Sequence, residues 1–148
     1  MHEGGPDDVG GADGHPGVNL PGTVAELRAV FDRYEDALVA NELDVLDVLF
    51  WPSPLTVRYG IADVQHGGEA VVAFRRALAR QTAPRRLHDT VVQTFGPGFG
   101  VVATEFTLED GTEGRQSQTW VRFTDGWRVV AAHVSIGPAS TGADAHDP

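Results

Sequence analysis

From Arg86 to Ile136 the chain consists of four β-rich runs cut at regular intervals by turn residues, and this pattern excludes most other folds. Arg86 to Phe95 and Gly100 to Glu109 are separated by Gly96-Pro97-Gly98. Gly114 to Phe123 follows Asp110-Gly111, and Trp127 to Ile136 follows Asp125-Gly126. Turn chemistry between runs rich in Val, Thr, Phe and Trp predicts consecutive antiparallel strands. The part before them reads as helical. Thr23-Val24-Ala25-Glu26 fits a capping box, in which the threonine hydroxyl accepts from the fourth amide and the glutamate reaches back. Leu27, Val30, Phe31, Tyr34, Ala37 and Leu38 then recur at helical steps, with Arg28, Asp32, Arg33, Glu35 and Asp36 off that face and Asn41 as the stop. Glu42 to Phe50 predicts a shorter helix with Leu43, Leu46, Leu49 and Phe50 inward, ended by Trp51-Pro52-Ser53-Pro54. Thr56 to Tyr59 and Asp63 to His66 read as short strands, and Gly68 to Arg80 as a third helix burying Val71, Val72, Phe74 and Leu78. The layout is α+β, a curved sheet wrapping helices.

A chain of 148 residues fits one domain with a real core. Residues 1–22 and 137–148 are rich in Gly, Pro and Asp and are expected to be disordered tails, the first acidic, around a domain over 23–136. The start lacks the cationic and apolar regions of a signal peptide, and no apolar run is long enough for a membrane helix. A soluble, cytoplasmic protein is expected, without membrane contact. The net charge of −10 argues against nucleic acid as a partner. With no cysteine there is no thiol nucleophile or thiolate metal site, and with no lysine there is no Schiff base. Catalysis is left to Tyr, His, Ser, Thr, Asp, Glu or Arg.

In the last run, strict alternation puts Trp127, Val129, Ala131, His133 and Ser135 on one face and Arg128, Val130, Ala132, Val134 and Ile136 on the other. Both faces are largely apolar, whereas helices cover only one. A homodimer through the back of the sheet, formed by Val130, Val134 and Ile136, is therefore expected.

Tyr34 lies on the buried stripe of the first helix, where its phenol must bond to backbone or face a cavity. Arg58, after the proline corner, is an edge residue or, if inward, requires a carboxylate from the protein or a ligand. His133, sharing the Trp127 face, is a hydrogen-bonded core histidine or an acid–base group. His88 and His66 have no metal-ligand spacing relative to it, and neither a metal nor any other cofactor is expected. The strand Gly114-Arg115-Gln116-Ser117-Gln118-Thr119-Trp120 is polar over most of its length, as an exposed edge or a polar pocket wall would be. Neither Ser117 nor Ser135 has a nucleophile-elbow context.

The blocks GRQSQTWVR (114–122) and GWRVVAAHVS (126–135), with the capped helix, the Trp-Pro corner and the Arg-bearing short strand, resemble the AtzH-like family of the nuclear-transport-factor-2-like superfamily. The likeness runs from about Thr23 to Ile136. It implies a cone of curved, mostly antiparallel sheet around three helices, with a pocket in its mouth. It also implies a role in cyanuric acid and ureide nitrogen catabolism beside an amidase and its small subunit. The implied reaction is decarboxylating amide hydrolysis, 1,3-dicarboxyurea to allophanate, through a first-helix tyrosine and a first-strand arginine. Tyr34 and Arg58 match those positions, and Trp51, Gln118 and His133 become candidates for shaping the pocket. The acidic N-terminal tail is not part of the family pattern. Two other classes stay open: a noncatalytic module serving an amidase, and a cyclase or isomerase of the same superfamily.

Overall fold

The first helix begins earlier than its capping box would place it. In the computed structural model, which describes residues 17–78 and 82–139, α1 spans Pro21–Ala40 with Leu20 at the N-cap. Proline suits the first turn because its missing N–H is one that a helix leaves unbonded there. Thr23 lies inside the helix and is buried, and Glu26 Oε1 accepts the indole N–H of Trp127 at 2.9 Å, so the capping box does not form. Asn41 ends the helix in the left-handed conformation, φ 58°, as expected of it.

Residues 17–20, assigned to a tail by composition, belong to the fold. Val18 is buried and bridges to Phe95, and Asn19 exchanges two 2.9 Å hydrogen bonds with the backbone of Thr94. Pro21 and Gly22 begin α1 and residues 137–139 end the last strand, so of the expected tails only residues 1–16 and 140–148 remain, and these lie outside the described residues.

The other helices are α2 (Leu43–Leu49) and α3 (Gly68–Ala77), and the strands are β1 (Val57–Tyr59), β2 (Val64–His66), β3 (Arg85–Thr94), β4 (Phe99–Leu108), β5 (Thr112–Phe123) and β6 (Gly126–Ala139). They form one curved six-stranded sheet in the order β2-β1-β6-β5-β4-β3. All neighbours are antiparallel except β1 and β6, so the meander is as expected and the short first hairpin joins it by a parallel pairing. The core lies between the helices and the concave face, from Leu27, Phe31, Tyr34, Leu46 and Phe50 to Val71, Val102, Trp120, Trp127 and Val129. Gly100 lets β4 approach α1 closely, since a Cβ there would stand 2.4 Å from the Leu27 side chain. In α3 Val71 is buried, whereas Leu78, expected inward on a helix running to Arg80, follows the end of α3 and is exposed.

Strict alternation fails along β6. Thr119 stands opposite Ala131 but Trp120 stands opposite Val129, so Val130 is an extra residue, a β-bulge. Because the side-chain period is two, one inserted residue exchanges the faces beyond it. Trp127 and Val129 face the helices; past the bulge, Ala132 and Val134 do so, opposite the buried Gln118 and Gln116. His133 and Ser135 turn to the convex side and are exposed. The expected outer stripe of Val130, Val134 and Ile136 therefore does not exist. The convex face instead presents Tyr59, Val91 and Phe99, each 40–50% exposed.

Candidate functional site

Strand register places the candidates. Arg58 on β1 lies beside Ala132 of β6 and Gln65 of β2, Ala132 beside Gln118 of β5, and Gln118 beside Val102 of β4. Laterally paired residues project to the same side of a sheet, and Gln65, Gln118 and Val102 are all buried, so Arg58 belongs to the concave face. Two residues along β5, Trp120 carries the same face toward α1. Its ring meets Tyr34 edge-on, with centroids 6.2 Å apart and planes at 88°, and its Nε1 donates to Gln118 Oε1 at 3.1 Å. Phe50 flanks Tyr34 at 6.2 Å. Tyr34 thus packs from α1 against Trp120 on the concave face, and Arg58 lies on that same face of the sheet, with Ala132 of β6 between it and Gln118.

Their polar atoms are unequally satisfied. Tyr34 is 5% exposed, yet its hydroxyl has no hydrogen-bond partner among the described residues. The buried side-chain oxygens without a partner among the described residues are Asp47 Oδ1 and Thr94 Oγ1, so the Tyr34 hydroxyl, which is not one of them, is left open to solvent at the edge of a buried ring. Arg58 donates from Nη1 to Asp63 Oδ1 at 2.7 Å and to Gln65 Oε1 at 2.8 Å, and its guanidinium carbon lies 5.3 Å from the centre of the Phe74 ring. Its Nε and Nη2 have no partner among the described residues. The carboxylate that an inward arginine requires is therefore already present as Asp63, and half of the planar fork is still free.

Gln118 is buried on the concave face. His133 is not: the bulge sends it to the convex face, where its ring meets Tyr59 edge-on at 5.7 Å. There it lines an open depression of about 560 Å³ with Glu105, Arg115, Ser117 and Ser135. Trp51 stacks on Phe123 at 5.3 Å and 20°, and that contact lies at the end of β5 beyond Trp120.

Sequence reasoning missed the most buried charges. Glu35, read as lying off the apolar stripe, is buried and takes a bidentate ion pair from Arg85, with Nη2 contacts of 2.7 and 2.9 Å, while Gln116 bonds to both partners. Arg85 also lies over Phe106 at 4.5 Å. The clue was in the spacing, since Glu35 follows Leu27 and Phe31 by eight and four residues and so falls on the same stripe. On the convex side a bulge at Asp89 gathers His88, Asp89 and Glu105, with ligand atoms within 4.8 Å of one another, a grouping that spacing did not foretell.

A curved mixed sheet closing on three helices is the fold of the nuclear-transport-factor-2-like superfamily. A member of that superfamily from Salmonella enterica serovar Typhimurium superposes with a TM-score of 0.64 at 23% identity, covering 85% of this chain and 98% of its own. The chain belongs to the AtzH-like family, whose family model matches residues 16–140. A protein of cystatin-like fold from Burkholderia xenovorans LB400 is 51% identical over 83% of this chain and 98% of its own, with a TM-score of 0.79. A protein of unknown function from Pectobacterium atrosepticum SCRI1043 is 45% identical over 82% and 96%, also with a TM-score of 0.79. Comparison with curated proteins gives no match. Among the described residues no helix is long and apolar enough to cross a membrane.

Proposed function

We propose that this protein is a decarboxylating amidohydrolase for a small N-carboxylated urea, of the 1,3-dicarboxyurea to allophanate type, with Tyr34 and Arg58 as its catalytic residues. The observation that carries the reading is the Tyr34 hydroxyl, without a hydrogen-bond partner among the described residues, on a helix that packs against the concave face carrying Arg58, whose Nε and Nη2 likewise have no partner among those residues. Membership of the AtzH-like family supports it.

Arg58 holds a substrate carboxylate through two parallel N–H donors and offsets its charge in a site walled by Trp120, Gln118 and Phe74. Tyr34 donates its proton to the departing nitrogen as the C–N bond to the carboxyl carbon breaks. The bonding pair stays on nitrogen, carbon dioxide leaves, and the phenolate regains a proton from water. No covalent nucleophile takes part, which suits a chain without Cys or Lys. Gln118 shapes the wall between the two residues. The protein acts in the cytoplasm, beside an amidase and its small subunit that consume the product, and it is a homodimer through the convex face.

The deciding assay follows carbon dioxide or allophanate release from freshly generated dicarboxyurea against its spontaneous decay. Acceleration by the wild type is expected. A rate equal to the spontaneous one, with a small dianion still bound, would replace the enzyme reading with that of an accessory binding module.

A further inference from the structure

Arg58 can receive a carboxylate bidentately only if its guanidinium plane is fixed, and the turn between β1 and β2 fixes it. The turn closes with the Gly60 N–H donating to the Asp63 carbonyl at 2.8 Å. A Cβ on Gly60 would stand 2.3 Å from Asp63 Oδ1 and 2.6 Å from Oδ2, so the absence of a side chain at position 60 is what lets that carboxylate occupy its place. From there Oδ1 accepts both Arg58 Nη1 at 2.7 Å and Gln65 Nε2 at 2.9 Å, and Gln65 returns its own oxygen to the same Nη1 at 2.8 Å. The three groups form a closed ring of hydrogen bonds. Among the described residues every polar contact of the guanidinium falls on Nη1, and the Phe74 ring lies against it.

We propose that Asp63, seated by Gly60, is a positioning residue: it locks Nη1 so that the Nε–Nη2 edge of Arg58 is left for one ligand carboxylate. The inference rests on Arg58 as the carboxylate holder and adds what aims it. It also narrows the ligand. Arg58 and Asp63 cancel in charge, so this part of the site selects a single planar carboxylate by geometry, and multiply charged anions such as phosphate gain no advantage there.

Position and charge predict opposite signs, which makes the test sharp. The probe is allophanate, titrated calorimetrically into the full-length protein, with dicarboxyurea turnover beside it. Asp63→Asn removes a negative charge near the bound anion, so electrostatics alone would tighten binding. Loss of the lock should instead weaken it by about tenfold or more, the scale of a charge-assisted hydrogen bond. Gly60→Ala keeps every charge but displaces the Asp63 carboxylate, and it should weaken allophanate in the same direction. In turnover, both variants should raise KM more than they lower kcat. Tighter or unchanged binding in Asp63→Asn, together with wild-type affinity in Gly60→Ala, would overturn the proposal. Thermal unfolding checks each variant, and if Asp63→Asn does not fold, Gly60→Ala alone decides. Arg58→Lys separates the two levels of the argument. If it binds allophanate as the wild type does, or if the wild type does not bind, the Arg58 reading itself has failed; if only Arg58→Lys weakens binding, the positioning role alone falls.

Discussion

Arg85 holds Glu35 in a bidentate ion pair across fifty positions of sequence, with side chains only 5% and 10% exposed. The pair ties β3 to α1 one residue from Tyr34, and Gln116 bonds to both partners. Burying two charges is costly, and the cost is met only while each has the other. Glu35→Ala or Arg85→Met alone should therefore lower stability by about 3–5 kcal/mol, because each strands a buried charge. The double variant should cost clearly less than the sum of the singles. Urea denaturation of the three variants measures the coupling.

Tyr34→Phe removes the acid and almost no volume. Turnover of dicarboxyurea should fall by roughly 100-fold or more with little change in substrate affinity, and the fold should hold because the hydroxyl has no partner to lose among the described residues. Steady-state kinetics with a thermal melt checks both parts. A large loss of stability would point to a structural role for the hydroxyl.

Asn19 anchors the entry to α1 on the β3–β4 hairpin, using a left-handed backbone, φ 54°, and a side-chain oxygen on the Thr94 amide. Asn19→Gly keeps the backbone freedom and loses the hydrogen bond, for about 1 kcal/mol. Asn19→Ala should cost about 1 kcal/mol more, because a Cβ disfavours the left-handed region. Chemical denaturation separates the two terms.

Asp110 caps the β4–β5 turn by accepting the Thr112 amide at 2.9 Å, and that bond holds its carboxyl below the ordinary 3.8. A depressed carboxyl adds stability above its unfolded pKa and loses it as the pH falls through the lower folded value. The wild type should therefore exceed Asp110→Asn in Tm at neutral pH, with the gap narrowing below about pH 4 and closing once both forms are protonated. Melting curves from pH 7 to pH 2 test the sign.

The convex face exposes Tyr59, Val91 and Phe99 without a covering layer among the described residues. If a second copy covers it, sedimentation should give twice the monomer mass, and Val91→Glu with Phe99→Glu should return the monomer. A wild-type monomer at micromolar concentration would remove the dimer from the proposal.

The sequence by itself determined the helices, the four long strands and the place of Tyr34 on the buried stripe of α1. Those depend on local periodicity and turn chemistry: the spacing of Leu27, Phe31, Tyr34 and Leu38, and glycine turns such as Asp110-Gly111. It also identified Arg58 through its place after the proline corner and its likeness to a family. Only the tertiary structure decided which way His133 faces, because the bulge at Val130 arises from pairing with β5 and leaves no mark in the alternation of β6 itself. The burial of Glu35 needed Arg85, and the aim of Arg58 needed Asp63 and the space at Gly60. Local sequence sets φ, ψ and the period of the apolar pattern. Register shifts and the partners of buried charges are set by contacts between segments distant in the chain, and these exist only once the sheet has closed on the helices.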